Sequence, residues 1–147
     1  MKKSIAIICC LGIFGCAKKE STGNIAQWKE EVSKTEVDFN NLAQAKGIAE
    51  AFYAFADSSA VIKLDNDSLI KGKESIRNHF SQPKFTKATV TWKADFIEVS
   101  NDGTLAYTYG PYIWTTKDSL GSKKDFKGIF HTVWKKQKDN SWKYVWD

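Results

Sequence analysis

Few side chains in this sequence can do acid–base or nucleophilic chemistry. His79 and His131 are the only histidines, and Arg77 is the only arginine among 22 basic residues. His131 sits inside an alternating run, with Ile129 and Val133 as its parity mates. There it serves either as a satisfied buried or interface histidine or as a general base beside a carboxylate, and it is the one catalytic candidate. His79 lies beside Phe80 near the end of a short helix, where a positive charge is favourable. No Cys or His stands at zinc-site spacing, so neither a metal nor a cofactor is expected. Aromatic side chains are the abundant resource. Trp92, Tyr107, Tyr109, Trp114, Phe130 and Trp146 fall at strand spacing, and Tyr53 falls on a helix. Such residues bury much area and keep a polar handle. They fit core and dimer packing, or the wall of a pocket for an apolar or ring-shaped ligand, and these seven are the candidate pocket-lining residues.

Those side chains must be positioned by a chain of 147 residues whose first part reads as a targeting segment. Met1-Lys2-Lys3 is a basic head, and an apolar run then ends at Gly15 before Cys16, the marks of a secretory signal. The run is about half the ~20 residues a spanning helix needs. The stretch Ile13-Phe14-Gly15-Cys16 resembles a bacterial lipobox, which implies that Cys16 is lipidated and becomes the new N-terminus. The expected organisation is a signal peptide at 1–15, a lipidated cysteine and tether at 16–23, and one domain at 24–147. The expected location is the bacterial cell envelope, with the membrane reached through the lipid anchor. Cys9 and Cys10 leave with the signal, so no intrachain disulfide is expected. Formal charge is +5 for the whole sequence, with 17 acids interleaved among the bases. Basic charge without clustering argues against a nucleic-acid partner.

The period of the apolar residues gives the elements. Ile25, Trp28, Val32, Thr35, Phe39 and Leu42 follow steps of three and four and predict a long helix, with Gly47 as its stop or hinge. Ile48 to about Ala56 predicts a second helix, and Lys73 to Phe80 a third, ended before Pro83. Asp65-Asn66-Asp67 predicts the turn of a small hairpin. After Lys84 the period becomes two. The phase flips between Phe96 and Ile97, which predicts a β-bulge, and a second flip is expected at Gly110-Pro111. Asn101-Asp102-Gly103, Gly121 and Asp139-Asn140 divide the rest into long strands. Three helices followed by bent antiparallel strands predict an α+β domain, with helices packed on a strongly curved, mainly antiparallel sheet and a pocket at the closed end.

Phe39-Asn40-Asn41-Leu42, Ala51-Phe52 and Ile70-Lys71-Gly72-Lys73-Glu74-Ser75-Ile76 resemble the helical half of the nuclear transport factor 2-like superfamily, in its SnoaL-like branch. Gly103 to Gly110 resembles its central strand, and Gly128 to Asp147 its closing hairpin. The resemblance implies a cone-shaped fold that often dimerises through the outer sheet face. It implies no single activity. An isomerase-like site of this superfamily would need a carboxylate base with an acidic donor, for which Asp95 with Tyr107 or Tyr53 has the types. Asp95 alternates with Ala94 and Phe96, so it points outward if they point in. An epoxide hydrolase-like site needs a strand arginine between two aspartates, and Arg77 falls on a helix. The expectation is a membrane-anchored protein that binds a small, largely apolar ligand, forms a homodimer and is not clearly an enzyme. The alternatives are a lyase or isomerase using His131 with a nearby carboxylate, or a protein-interaction module.

Overall fold

Steps of three and four set one stripe of the first helix against the rest of the chain. This helix, α1 (Thr22–Lys46), buries Val32, Phe39 and Ala43, with Trp28 and Leu42 partly covered beside them. The structure is a computed structural model and describes residues 22–147. The stretch read as a signal peptide, 1–15, and Cys16 lie outside the described residues, and α1 begins inside the segment read as a tether. Gly47, at a φ of 87°, turns the chain into α2 (Ile48–Phe55). Glycine takes that conformation without the clash a Cβ would bring.

The small hairpin follows as β1 (Ala56–Lys63) and β2 (Leu69–Lys71), paired antiparallel around the Asp65-Asn66-Asp67 turn. Next come α3 (Lys73–Phe80) and a single-turn helix, α4 (Pro83–Thr86). Sequence reading took Pro83 only as a stop. It opens α4 instead, because proline's fixed φ and missing N–H suit the first turn of a helix. The sheet is completed by β3 (Thr89–Trp92), β4 (Phe96–Val99), β5 (Leu105–Lys117), β6 (Lys123–Lys136) and β7 (Trp142–Trp146). Strand order is β2-β1-β7-β6-β5-β3, with β4 also on β5. Only β1 and β7 run parallel, and the other pairs are antiparallel. The class is therefore α+β, as the periodicity predicts.

The sheet is irregular between β1 and β7, where Ala56 pairs with Tyr144 but Val61 with Trp146, and at two further places that bear on the site. Trp92 pairs with Tyr112, but Phe96 pairs with Tyr109, so one extra residue lies between β3 and β4. A bulge exists, but at Lys93–Asp95 and not between Phe96 and Ile97, so Phe96 already faces outward beside Tyr109. The bulge passes so close to Gly110 that an added Cβ would stand 2.0 Å from the Lys93 carbonyl oxygen, so only glycine fits. The second of these places is in β7. Trp134 pairs with Tyr144 while Val133 pairs with Trp146, so one residue is again inserted.

The phase flip expected at Gly110-Pro111 is absent. β5 and β6 pair without a break from Leu105↔Lys135 to Lys117↔Lys123. Pro111 accepts from Lys93 N through its carbonyl, facing the gap between β3 and β4, so its missing N–H removes no ladder bond. One parity therefore holds along all of β5. Ala106, Thr108, Gly110, Tyr112 and Trp114 face the helices, and Leu105, Tyr107, Tyr109 and Ile113 face outward. The centre of the core is the Phe39 ring. It lies 4.7 Å from Trp92, 5.0 Å from Phe52 and 5.9 Å from Tyr144, centroid to centroid.

Candidate ligand-binding site

The bent sheet does not close completely on the helices. A cavity of about 750 Å³ remains between them. Phe39 and Phe52 reach it from α1 and α2, and Phe80 and Phe85 from α3 and α4. The sheet supplies Trp92, Tyr112, Trp114 and Phe130. Tyr112 is held in place by Gly128, whose position an added Cβ would drive to within 2.7 Å of the tyrosine ring. Trp114 packs at 5.8 Å from Phe85 and 6.3 Å from Phe80, which ties the strand wall to the small helices. The wall is mostly apolar, and polar groups are confined to a few places.

The main polar group is Asp147. The extra residue in β7 turns its side chain to the inner face, where Thr132 Oγ1 donates to Asp147 Oδ2 at 2.7 Å. Its backbone is held on both sides by β1, through Asp147 N to Val61 O at 3.0 Å and Lys63 N to Asp147 O at 2.9 Å. Burial pushes this carboxyl up to about 7, and the charge of Glu36 adds to the rise; the Thr132 hydrogen bond opposes it.

Glu36 is the second interior carboxyl, buried on α1 behind the aromatic wall. Trp92 Nε1 donates to Oε2 at 2.8 Å, Trp134 Nε1 donates to Oε1 at 3.0 Å, and the Thr108 hydroxyl also donates to Oε1. Burial raises its pKa above the usual carboxylate value against the pull of these three donors. At the mouth stand Lys63, Asp65, His79 and Lys84. His79 is half-buried between Phe80 and Phe85, and burial together with the charge of Lys84 lowers its pKa.

Of the seven residues expected to line a pocket, Trp92, Trp114 and Phe130 border this cavity, and Trp146 borders it along its strand but pairs with Val133, on the face that carries His131. Tyr107 and Tyr109 do not border it. They lie on the outer face, 39% and 40% exposed, because β5 keeps one parity throughout. Tyr53 is also elsewhere. It lies one position beyond the buried Phe52 and so turns away from the core, where its hydroxyl donates to Glu74 at 2.8 Å and Lys73 and Arg77 cover its ring. His131 borders the cavity along its strand, but its ring is exposed and stands 5.8 Å from Tyr107, on the opposite side from Phe130 and Thr132. No cavity carboxylate can share a proton with it there. Asp95 is exposed because it lies in the bulge between β3 and β4; the alternation expected of it fails, since Phe96 faces outward.

Sequence reasoning missed Glu36 and Asp147. Glu36 stands four residues after Val32 and three before Phe39, so the helical step itself places it on the buried stripe. Asp147 alternates out of phase with Trp142, Tyr144 and Trp146, and only the inserted residue turns it inward.

No family model and no curated protein matches the sequence. Solved structures do match. A nuclear transport factor 2-like superfamily protein from Salmonella enterica serovar Typhimurium superposes with a TM-score of 0.66 at 18% identity, over 82% of this chain and 88% of that one. The fold is nuclear transport factor 2-like. A ketosteroid isomerase-like protein from Erwinia carotovora atroseptica shares this fold, with a TM-score of 0.64 at 13% identity over 85% and 93% of the two chains. The association domain of C. elegans CaMKII does so as well, with a TM-score of 0.57 at 18% identity over 82% and 91%. Within this nuclear transport factor 2-like fold, the cavity is the space under the bent sheet, and identities this low carry the architecture alone.

Proposed function

We propose that this protein binds a small, largely apolar ligand in the cavity. The observation that supports this reading is the aromatic wall around a space of about 750 Å³. Volumes of roughly 300–1,000 Å³ with apolar walls and a few polar groups are typical of small-molecule sites. Trp114→Ala tests the reading, because this half-buried ring joins the sheet wall to α3 and α4. The variant is expected to bind an environment-sensitive apolar dye about tenfold more weakly in a fluorescence titration while remaining folded by circular dichroism. Equal dye binding would remove the cavity as the site.

The enzyme alternative changes its base. A lyase or isomerase working in this cavity would use Asp147, whose carboxyl titrates near neutrality, and not His131, whose ring is outside.

The protein is further proposed to be a homodimer joined through the outer sheet face. Phe96 stacks on Tyr109 at 4.9 Å there, and Tyr107, Tyr109, Ile113 and Ile129 stay exposed, the last at 69%. That one of the similar structures is an association domain agrees with this reading. Light scattering at micromolar concentration is expected to give twice the chain mass for the wild type and the single chain mass for Ile129→Glu. A wild-type monomer would count against the interface.

At the cell envelope, we propose that Cys16 carries lipid and holds the domain on a membrane. Each buried CH₂ contributes about 0.8 kcal/mol, so several acyl chains anchor durably where one does not. Cys16→Ala is expected to abolish fatty-acid labelling and to move the protein out of the membrane fraction. Labelling that persists in the variant would exclude this cysteine as the anchor.

A further inference from the structure

Among the described residues, the interior holds two carboxyls and no cation to match them. Buried acids are normally paired with a base. Among the described residues, neither Glu36 nor Asp147 takes part in an ion pair. Glu36 is satisfied another way, by two indole N–H groups and a hydroxyl. Asp147 is not. Thr132 donates to Oδ2, and no described residue donates to Oδ1. Every wholly buried side-chain nitrogen or oxygen among the described residues has a partner, so Oδ1 is not wholly buried. Asp147 lines the cavity.

The bases near the mouth do not fill the gap. Lys63 Nζ is held by Asp67 at 2.6 Å, and Lys84 Nζ lies over the Phe85 ring at 4.7 Å. An anionic ligand would meet Asp147 at the inner wall, with Glu36 behind it. A neutral apolar ligand would bury the Asp147 carboxylate without a partner. Trp92, Tyr112, Trp114 and Phe130 surround the same space, and ring faces attract cations by ~0.5–2 kcal/mol each, most strongly where water is excluded.

We propose that the cavity takes an organic cation: an ammonium group carried on an apolar, ring-sized body, with the charge at Asp147 and the body against the aromatic wall. This deepens, and rests on, the reading of the cavity as a ligand site. The ligand supplies the one positive charge that the fold omits. Its binding depends on pH through Asp147. The other charged or titratable groups facing this region are Lys63 and Asp65 from β1 and its turn, His79 from α3 and Lys84 from α4, with Glu36 of α1 behind the wall. His79, whose pKa burial and Lys84 lower, loses positive charge as pH rises and so acts in the same direction, but from the mouth.

Three probes of similar size separate the possibilities: benzyltrimethylammonium, whose charge is fixed at every pH, the neutral alcohol 3-phenylpropanol, and the anion 3-phenylpropionate. Calorimetric titration at about pH 8 is expected to find the cation bound about tenfold or more tighter than the alcohol, and the anion weakest. With a carboxyl titrating at about 7, cation affinity is expected to rise about tenfold from pH 6 to pH 8. Asp147→Asn is expected to remove both the cation preference and the pH dependence while leaving alcohol binding in place. A wild-type cavity that binds the alcohol as tightly as the cation would overturn the proposal and leave the apolar site standing. Binding of none of the three would overturn both. The wild-type comparison decides even if the variant fails to fold.

Discussion

Phe39→Ala is expected to cost about 3–5 kcal/mol of folding stability, the range for truncating a buried aromatic. The ring is 2% exposed and meets Phe52, Phe55, Trp92, Trp134 and Tyr144, with centroids between 4.7 and 6.2 Å away. These neighbours come from α2, β3, β6 and β7, so one side chain joins most of the layers. They cannot collapse into the vacated space, because Trp92 and Trp134 are also held by Glu36 and Tyr144 donates to Phe52 O at 2.9 Å. The cavity left behind therefore persists, which is the condition for the large end of the range. Urea unfolding would report it as a fall in midpoint at unchanged slope. Phe39→Leu keeps most of the volume and is expected to cost less. A loss below about 1 kcal/mol for the alanine variant would show that the helices and sheet do not pack through this ring.

That ring was legible in the sequence, and the reason separates what can be read from what cannot. Phe39 belongs to a stripe of apolar residues at helical steps, and burial of a stripe depends only on local geometry. The first bulge was legible in kind but not in place: a change of phase cannot be reconciled with one straight strand, but Phe96 is apolar and fits either face, so the flip was read three residues late. β5 was misread because both of its faces carry large apolar side chains. Leu105, Tyr107 and Tyr109 satisfy alternation as well as Ala106, Thr108 and Gly110 do, and only pairing with β6 decides which set faces the helices. The small residues face inward since Trp134 and Trp92 already fill that space. The two acids were missed for different reasons. Glu36 carries a charge in a stripe where burial is normally apolar, and its partners lie 56, 72 and 98 residues away. Asp147 is turned inward by an insertion visible only in the register of β7 against β6.

Asp147→Asn is expected to make the folded protein more stable above about pH 7, by roughly 2–4 kcal/mol. The carboxyl titrates near 3.8 when free and at about 7 in the fold, with burial as the main cause and Glu36 as a second. Between those values the native state holds a proton that the unfolded chain has released. The stability gained from that proton is complete below the free value, declines as pH rises through the window and is gone above about 7. Each pH unit of the gap is worth about 1.4 kcal/mol, which sets a ceiling of about 4 kcal/mol; solvent in the cavity lowers it. Glu36 is shifted upward as well and contributes with the same sign. Wild-type stability is therefore expected to fall between about pH 5 and pH 8, and the asparagine variant, neutral at this position throughout, to flatten most of that slope. Urea midpoints at these two pH values, measured for both proteins, check it. A flat wild-type profile, or a variant weaker than the wild type at about pH 8, would mean that the carboxylate is well solvated where it stands. A stabilised variant that has also lost its preference for benzyltrimethylammonium would have a direct physical meaning. The fold would be carrying an unpaired acid at a cost in stability, at the one place where a cationic ligand can neutralise it.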